Sequence, residues 1–393
     1  MEYLKLENVC KQYLYGVKAL NNISFSLPQN GRMTVFGGES AGKTTLLKII
    51  AGLLEQTEGG IFLQGKNAAA ISIKDRNISM SFADAFKKHK TLYDNLYYSF
   101  LIRGKSREVF ESRLKEADGI FAMNHMLFKK YGDLNAEERA VAVVLRCLMR
   151  DADLYILDNP LKDLQQECKK NLLLKISDCI KNIDGAVIYA ADDFDEACFL
   201  NFRTLILNYG SISGYGNLND IYNKPDDLYA CKLFGMNVIK GNFIKESDKI
   251  YFQPESGGKI LTDFTEQAVA FSIENSSKTL TDLTDKTVAS QPENGDKILT
   301  ECTGQAAASS DGIFAVIKPE DLKITESPDL LTADFVSSRF EGNTQIIYLK
   351  NANGYLSVKN DNGHFFEPTD KSIALTFDIK KALFYSVKDE RIL

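Results

Sequence analysis

The octapeptide Gly37-Gly38-Glu39-Ser40-Ala41-Gly42-Lys43-Thr44 constrains this chain more than any other feature. It fits the pattern G-x-x-x-x-G-K-S/T. Such a loop wraps so that successive backbone N–H groups point inward at phosphate oxygens, and glycine permits the backbone this requires. The helix that follows opens with unpaired N–H groups and the positive end of its dipole aimed at the same anion. Here the short apolar strand Met33-Thr34-Val35-Phe36 precedes the loop, and an apolar helix opening near Thr44 follows it. In that context Lys43 reaches the β- and γ-phosphates of a nucleotide, and the Thr44 hydroxyl ligates Mg²⁺.

The surrounding pattern extends this unit into an α/β domain. Residues 1–35 read as strands, with apolar alternation at Ile23-Ser24-Phe25-Ser26-Leu27 and a turn at Pro28-Gln29-Asn30-Gly31. Residues 92–150 read as helical. Leu154-Tyr155-Ile156-Leu157 and Ala186-Val187-Ile188-Tyr189-Ala190 are short apolar runs of the kind that fill parallel sheets. Strands alternating with helices point to an α/β domain up to about residue 236. From Gly241 onward the chain becomes rich in Thr, Ser and Gly, with short β-like runs. The motifs Lys259-Ile260-Leu261-Thr262-Asp263, Lys278-Thr279-Leu280-Thr281-Asp282 and Lys297-Ile298-Leu299-Thr300-Glu301 recur 19 residues apart, a tandem duplication of a hairpin-sized unit over about 257–310. Solvated strands that extend an existing sheet are the expectation there.

Composition sets further limits. The chain has 393 residues, enough for two or three domains, and 44% are hydrophobic, so a large core can be buried. With 47 Lys+Arg against 53 Asp+Glu the net charge is −6, which argues against nucleic acid as a partner, since such binders carry a basic face. No apolar run reaches the roughly 18 residues that span a bilayer. The N-terminal Met1-Glu2-Tyr3-Leu4-Lys5-Leu6 lacks the basic-then-apolar signal pattern, so a cytoplasmic location is expected. The seven cysteines contain no CxxC pair and are odd in number, which disfavours a disulfide framework or a zinc site.

The residues after the loop carry a specific resemblance. Gly42-Lys43-Thr44-Thr45-Leu46-Leu47-Lys48-Ile49-Ile50-Ala51-Gly52-Leu53, then Glu58-Gly59-Gly60-Ile61 and Gly65-Lys66, resemble the start of ABC-transporter ATPases. Lys11-Gln12-Tyr13 matches the family's adenine-stacking aromatic, and the resemblance assigns that role to Tyr13. Ile317-Lys318-Pro319-Glu320-Asp321-Leu322, Phe340-Glu341-Gly342-Asn343-Thr344 and Leu375-Thr376-Phe377-Asp378 resemble the accessory β domain of the sugar-importer branch. The implied fold is an α/β P-loop NTPase domain of ABC type over 1–236, with a helical subdomain at about 84–150, followed by an all-β OB-like domain over 237–393. The implied ligands are ATP and Mg²⁺. ATP is held by Tyr13, Gly37, Gly38, Ser40, Ala41, Gly42, Lys43, Thr44, Thr45 and Asp158, and the metal by Thr44 and Asp158. The implied partners are permease subunits, which make the chain peripheral on the inner face of the membrane, and a second ATP-binding subunit, identical or paralogous. The permease is expected to contact the stretch containing Phe86, Lys87, Lys88, His89, Lys90 and Tyr93.

The family's reactive positions have changed. Where its general-base glutamate follows the acidic strand residue, this chain has Asn159, which cannot accept a proton at physiological pH. Where its switch histidine stands, this chain has Asp192, a carboxylate that repels a γ-phosphate. Where a glutamine senses Mg²⁺ and the attacking water, it has Ala83. The signature L-S-G-G-Q is replaced by Leu134-Asn135-Ala136-Glu137-Glu138, in which Asn135 retains a donor. Loss of a general base costs roughly 10²–10⁴ in rate. The resemblance therefore implies a carbohydrate-type import subunit that binds Mg-ATP, is impaired in hydrolysis, and works beside an active paralogue. An active ATPase using noncanonical residues, and a regulatory nucleotide-binding scaffold outside transport, are the two other readings these residues leave open.

Overall fold

The computed structural model describes residues 2–81, 85–247, 249–255, 258–262, 313–325, 331–341, 344–352, 354–361, 366 and 372–386. They fall into two compact units, Met1–Ile221 and Tyr222–Leu393.

The first unit begins with β1 (Glu2–Gln12), β2 (Lys18–Pro28) and β3 (Arg32–Phe36), then α1 (Lys43–Ile50), β4 (Glu58–Leu63), β5 (Lys66–Asn67) and β6 (Ile78–Ser81). Helices α2 (Leu92–Leu101), α3 (Arg107–Phe121) and α4 (Ala136–Leu148) follow. The chain then returns to the sheet with β7 (Leu154–Asp158), α5 (Gln166–Lys181), β8 (Ala186–Ala191), α6 (Phe194–Leu200), β9 (Arg203–Asn208) and β10 (Ser211–Asn217). An antiparallel sheet has the order β2-β1-β4-β5, and a larger sheet has the order β10-β9-β3-β8-β7-β6. In the larger sheet β3 pairs in parallel with β8 and β9, and β7 with β6 and β8.

Residue patterns explain this layering. In β2 the alternation buries Ile23, Phe25 and Leu27 in a core shared with Leu46, Leu47, Ile49 and Ile50 of α1. Strand β8 is buried along its whole length, as a strand covered on both faces must be. Thr91, Ser106 and Asn135 each accept a backbone N–H at the start of α2, α3 and α4, which stops those helices at polar residues suited to the task. Between α2 and α3, Phe110 is fully buried against the rings of Tyr93, Tyr97 and Phe100.

The parallel register decides where the site forms. Phe36 stands opposite Ala191, and Asp158 opposite Ala190. The segments leaving β3, β7 and β8 therefore emerge at one carboxyl edge, where ligands of open α/β sheets bind. At the opposite edge Arg32 fastens β3 to the end of α5. Its guanidinium donates to the carbonyls of Ile180 (3.0 Å), Ile183 (2.9 Å), Gly185 (2.5 Å) and Asn30 (2.8 Å).

The second unit continues with α7 (Leu218–Asn223), whose last residues it contains, and α8 (Leu228–Leu233), then β11 (Asn237–Glu246), β12 (Lys249–Pro254), β13 (Ile260–Leu261), β14 (Ile313–Ile317) and β15 (Leu322–Thr325). It ends with β16 (Leu331–Glu341), β17 (Thr344–Asn351), β18 (Gly354–Asn360), β19 (Ser372–Phe377) and β20 (Leu383–Ser386). These strands make two antiparallel sheets, β13-β12-β11-β14-β20 and β15-β19-β16-β17-β18. Ile239, Phe252, Ile317, Leu331, Leu349, Leu375 and Phe384 lie in their common core. The additional all-β domain expected from the texture after Gly241 is thus present. Of the 19-residue repeat, only residues 259–262 of the first copy are described, and Ile260-Leu261 extend a sheet beside β12; the remaining copies lie outside the described residues.

Arg32→Met should lower the unfolding free energy by about 2–3 kcal/mol, because it strips donors from several partly buried carbonyls. Urea denaturation with an unchanged slope checks this, and nucleotide affinity should stay as in the parent chain.

Candidate functional site

The phosphate loop has the backbone its glycines allow. Gly42 precedes α1 at φ 101°, and a Cβ there would stand 2.6 Å from the Ala19 carbonyl oxygen. At Gly37 a Cβ would stand 2.5 Å from the Leu207 carbonyl oxygen. Neither position accepts a side chain without moving backbone. The helix starts as Leu46 donates its N–H to the Gly42 carbonyl (2.9 Å).

Lys43 is 5% exposed. Its ammonium donates to the carbonyls of Gly37 (2.6 Å) and Gly38 (2.7 Å) and pairs with Asp192 Oδ1 at 2.6 Å. An ammonium has three protons, and three acceptors surround this one. The Thr44 hydroxyl donates to Asp158 Oδ1 (3.1 Å) at the end of β7. Burial raises the Asp158 carboxyl above the usual range, against the pull of the Thr44 hydroxyl, Lys48 and Lys43, and nearby Asp192 adds to the rise.

Ser40, Ala41, Gly42, Lys43, Thr44, Thr45, Asn159 and Asp192 line one cavity of about 430 Å³, with Glu39 and Lys162 beside them. Gly37 and Gly38 join it through the Lys43 ammonium, and Asp158 through Thr44. Tyr13 stands next to the first turn of α1, its hydroxyl 3.3 Å from Thr45 Oγ1; the residue is 43% exposed, and the Lys11 ammonium lies 5.5 Å from its ring centroid. Asn159 adopts φ 44°, a left-handed conformation that asparagine tolerates better than most residues. Its Oδ1 is buried and has no hydrogen-bond partner among the described residues. Ala83 lies outside the described residues.

Sequence reasoning placed Asp192 near the phosphate but did not find its ion pair with Lys43. It also missed the layer beneath. Asp193 accepts N–H from Asp195 (2.9 Å), the Gln166 amide (3.0 Å) and Lys169 Nζ (3.4 Å). Lys169 stands 3.0 Å from Glu196 Oε1, and the Tyr189 hydroxyl donates to Glu196 Oε2 (3.0 Å). Burial works against the Lys169 ammonium, but Glu196 and Asp193 outweigh it and hold its pKa above the ordinary lysine value. The legible signal was the acidic run Asp192-Asp193-Phe194-Asp195-Glu196 facing Gln166 and Lys169, three positions apart on α5.

At the start of α4 Asn135 caps the helix. Its Oδ1 accepts the Glu138 N–H (2.9 Å), while Glu138 Oε2 accepts the Asn135 N–H (3.0 Å). Glu138 also binds Lys129 Nζ at 2.6 Å. Against the upward push of burial, Lys129 and the Asn135 N–H hold the Glu138 carboxyl below its usual range. This capping box gives the helix end its own partners. In the helical subdomain, Phe86 is buried and stacked on Tyr131 (centroids 4.3 Å apart), which leaves the surface to Lys87, Lys88, His89 and Lys90. Tyr93 is half-buried, its ring 5.9 Å from that of Phe128.

A phosphate loop between a parallel strand and a helix, with a hydroxyl and a carboxylate paired beside it, defines a P-loop nucleotide-binding protein. Comparison with known proteins narrows the class. Residues 20–162 match the family described as ABC transporter. The sn-glycerol-3-phosphate import ATP-binding protein UgpC of Jannaschia sp. is 30% identical over 246 residues, 61% of this chain and 70% of that protein. The oligosaccharides import ATP-binding protein MsmX of Bacillus subtilis is 26% identical over 271 residues, 67% of this chain and 74% of that protein. In structure, cbiO1 of Clostridium perfringens, part of an ABC transporter complex, matches with a TM-score of 0.51 at 19% identity, over 57% of this chain and 92% of that one. The chain belongs to the ATP-binding subunits of ABC transporters. Among the described residues no helix is long and apolar enough to cross a membrane.

Lys169→Met should destabilise the fold by about 3 kcal/mol, since it leaves Glu196 buried without its cation. A lowered urea midpoint in the full chain checks this, with the larger part of the loss expected to vanish in Lys169→Met/Glu196→Gln.

Proposed function

We propose that this chain is the nucleotide-binding subunit of an ABC importer for a carbohydrate-type solute. It holds a Mg-nucleotide on the loop at 37–44, and its own site turns ATP over poorly or not at all, while an active paralogue supplies turnover. Support for the solute class comes from relatives whose names specify import of sn-glycerol-3-phosphate and of oligosaccharides, together with the β domain after residue 236.

The observation that carries the reading is the contrast within one cavity. The binding side is intact: Lys43 stands in the loop, Thr44 is paired with Asp158, and Tyr13, an exposed residue, lies beside α1 with its ring for the base. Thr44 and Asp158 are the residues that would hold Mg²⁺, which when bound compensates phosphate charge. The reacting side is not intact. Asn159 has no proton-accepting group, and Asp192 presents a carboxylate where a hydrogen-bond donor is needed. The capping box at α4 engages two N–H donors of that helix end, those of Asn135 and Glu138, and Glu137 beside them brings a negative charge toward a partner's nucleotide. Losing one preorganised donor costs roughly 3–4 kcal/mol of transition-state stabilisation, and these losses act on one event, so they do not sum.

Contact with a permease is assigned to the helical subdomain. Lys87, Lys90, Tyr97, Tyr98, Leu101 and Arg146 line a cavity of about 210 Å³ there, and Tyr98 and Leu101 are about half exposed. The chain would sit at the inner face of the membrane through that contact, without a span of its own.

Two experiments test this. Steady-state turnover of the purified chain should stay at background, and Asn159→Glu alone should stay within about tenfold of it, well short of the roughly 10²–10⁴ a general base contributes; a rate in that range from the single change would refute the several-defect reading. Charge reversal of Lys87 and Lys88 together should reduce co-purification of the co-expressed permease severalfold at unchanged nucleotide affinity, and equal recovery would count against the assigned surface.

A further inference from the structure

We infer that Asp192 is a specificity-determining residue that makes this loop a nucleoside diphosphate site: its carboxylate occupies the γ-phosphate position on Lys43. The inference rests on the proposal that the loop binds nucleotide. In a phosphate loop the lysine ammonium serves the β- and γ-phosphates. Here two of its protons go to the Gly37 and Gly38 carbonyls, and the third goes to Asp192 Oδ1 at 2.6 Å. A carboxylate oxygen at charge-assisted hydrogen-bond distance is the same kind of partner a terminal phosphate oxygen would be.

The carboxylate is also held where it is. On one side Ala191 belongs to β8, in register with Phe36 at the root of the loop. On the other side Asp193 caps α6 and accepts from Gln166 and Lys169. Lys169 is locked in turn by Glu196, which is 4% exposed. The backbone at Asp192 thus has fastenings immediately before and after it, and only the side chain is left to swing.

A triphosphate therefore meets two costs more fully than a diphosphate does. Seating a third phosphate takes Lys43 away from Asp192, and it leaves that carboxylate beside the most highly charged end of the ligand. Asn159, on the other wall, carries no charge to offset it. Lys162, the other cation lining the cavity among the described residues, is exposed and stands 3.7 Å from Glu39. The β-phosphate shares Lys43 but is held mainly by the backbone N–H donors of the loop and the start of α1, and those donors do not involve Asp192. Mg²⁺ would be held by Thr44 and Asp158 with either nucleotide.

The test is calorimetric titration of the full chain with Mg-ADP and with Mg-ATP. The parent chain should bind ADP at least tenfold tighter than ATP. Asp192→Asn, which keeps shape and removes charge, should tighten ATP at least tenfold and change ADP by less than threefold. Asp192→Ser, with no carboxylate at all, should behave the same way and guards against misfolding of the first variant. An ATP affinity equal to or above that for ADP in the parent chain would overturn the inference, as would an unchanged ratio in both variants. Binding of neither nucleotide to any of the three proteins would overturn the nucleotide-binding proposal itself. Binding of ATP gained only in the variants, with no ADP binding in the parent chain, would keep that proposal and overturn the diphosphate assignment.

Discussion

A buried ammonium ion has to be surrounded by acceptors, and Lys43 shows how far that requirement reaches in this protein. The side chain is 5% exposed, and burying a cation without partners is prohibitive. Two loop carbonyls and one carboxylate meet the need. The carbonyls require the loop to fold back over its own lysine, and the glycines at 37 and 42 are where that path passes too close to backbone for any side chain. The carboxylate requires the end of β8 to reach the end of β3, which the parallel register provides.

The second layer extends the same logic. Asp192 serves Lys43 from a segment whose next residue caps α6, and the ions behind that cap are themselves paired: Asp193 and Glu196 with Lys169, and Glu196 with the Tyr189 hydroxyl. Polar groups at this depth are stable only as a complete set. The segment that carries Asp192 is built into a closed electrostatic arrangement. The capping box at α4 is a similar closure, with Glu138 spending its carboxylate on Lys129 and on the helix end it starts.

The relation between these closures and the intact Thr44–Asp158 pair supports a division of roles. Thr44 and Asp158, which would hold the metal, are paired with each other, while Asp192 is engaged with Lys43 and Glu138 with Asn135 and Lys129. The β domain has its own core around Phe252, Leu349 and Phe384. Among the described residues, those that line the cavity belong to the first unit.

Much of this was legible in the chain itself. The loop motif and the apolar strands around it dictate a parallel α/β sheet, because glycine spacing and continuous apolar runs are local properties. The β texture after Gly241 dictates an added β domain for the same reason. Asn159 and Asp192 were visible as residue types, and so was the repulsion expected between Asp192 and a phosphate. What the carboxylate does instead was not legible. Lys43 and Asp192 are far apart in sequence, and no periodicity links them; only the register of β3 against β8 brings them to 2.6 Å. The cap formed by Asn135 was hidden because a capping box depends on which way two side chains turn, and the burial of Phe86 was hidden because it depends on what packs over it. Local backbone chemistry is written in neighbouring residues, whereas charge pairing and burial are settled by which distant segments the fold sets side by side.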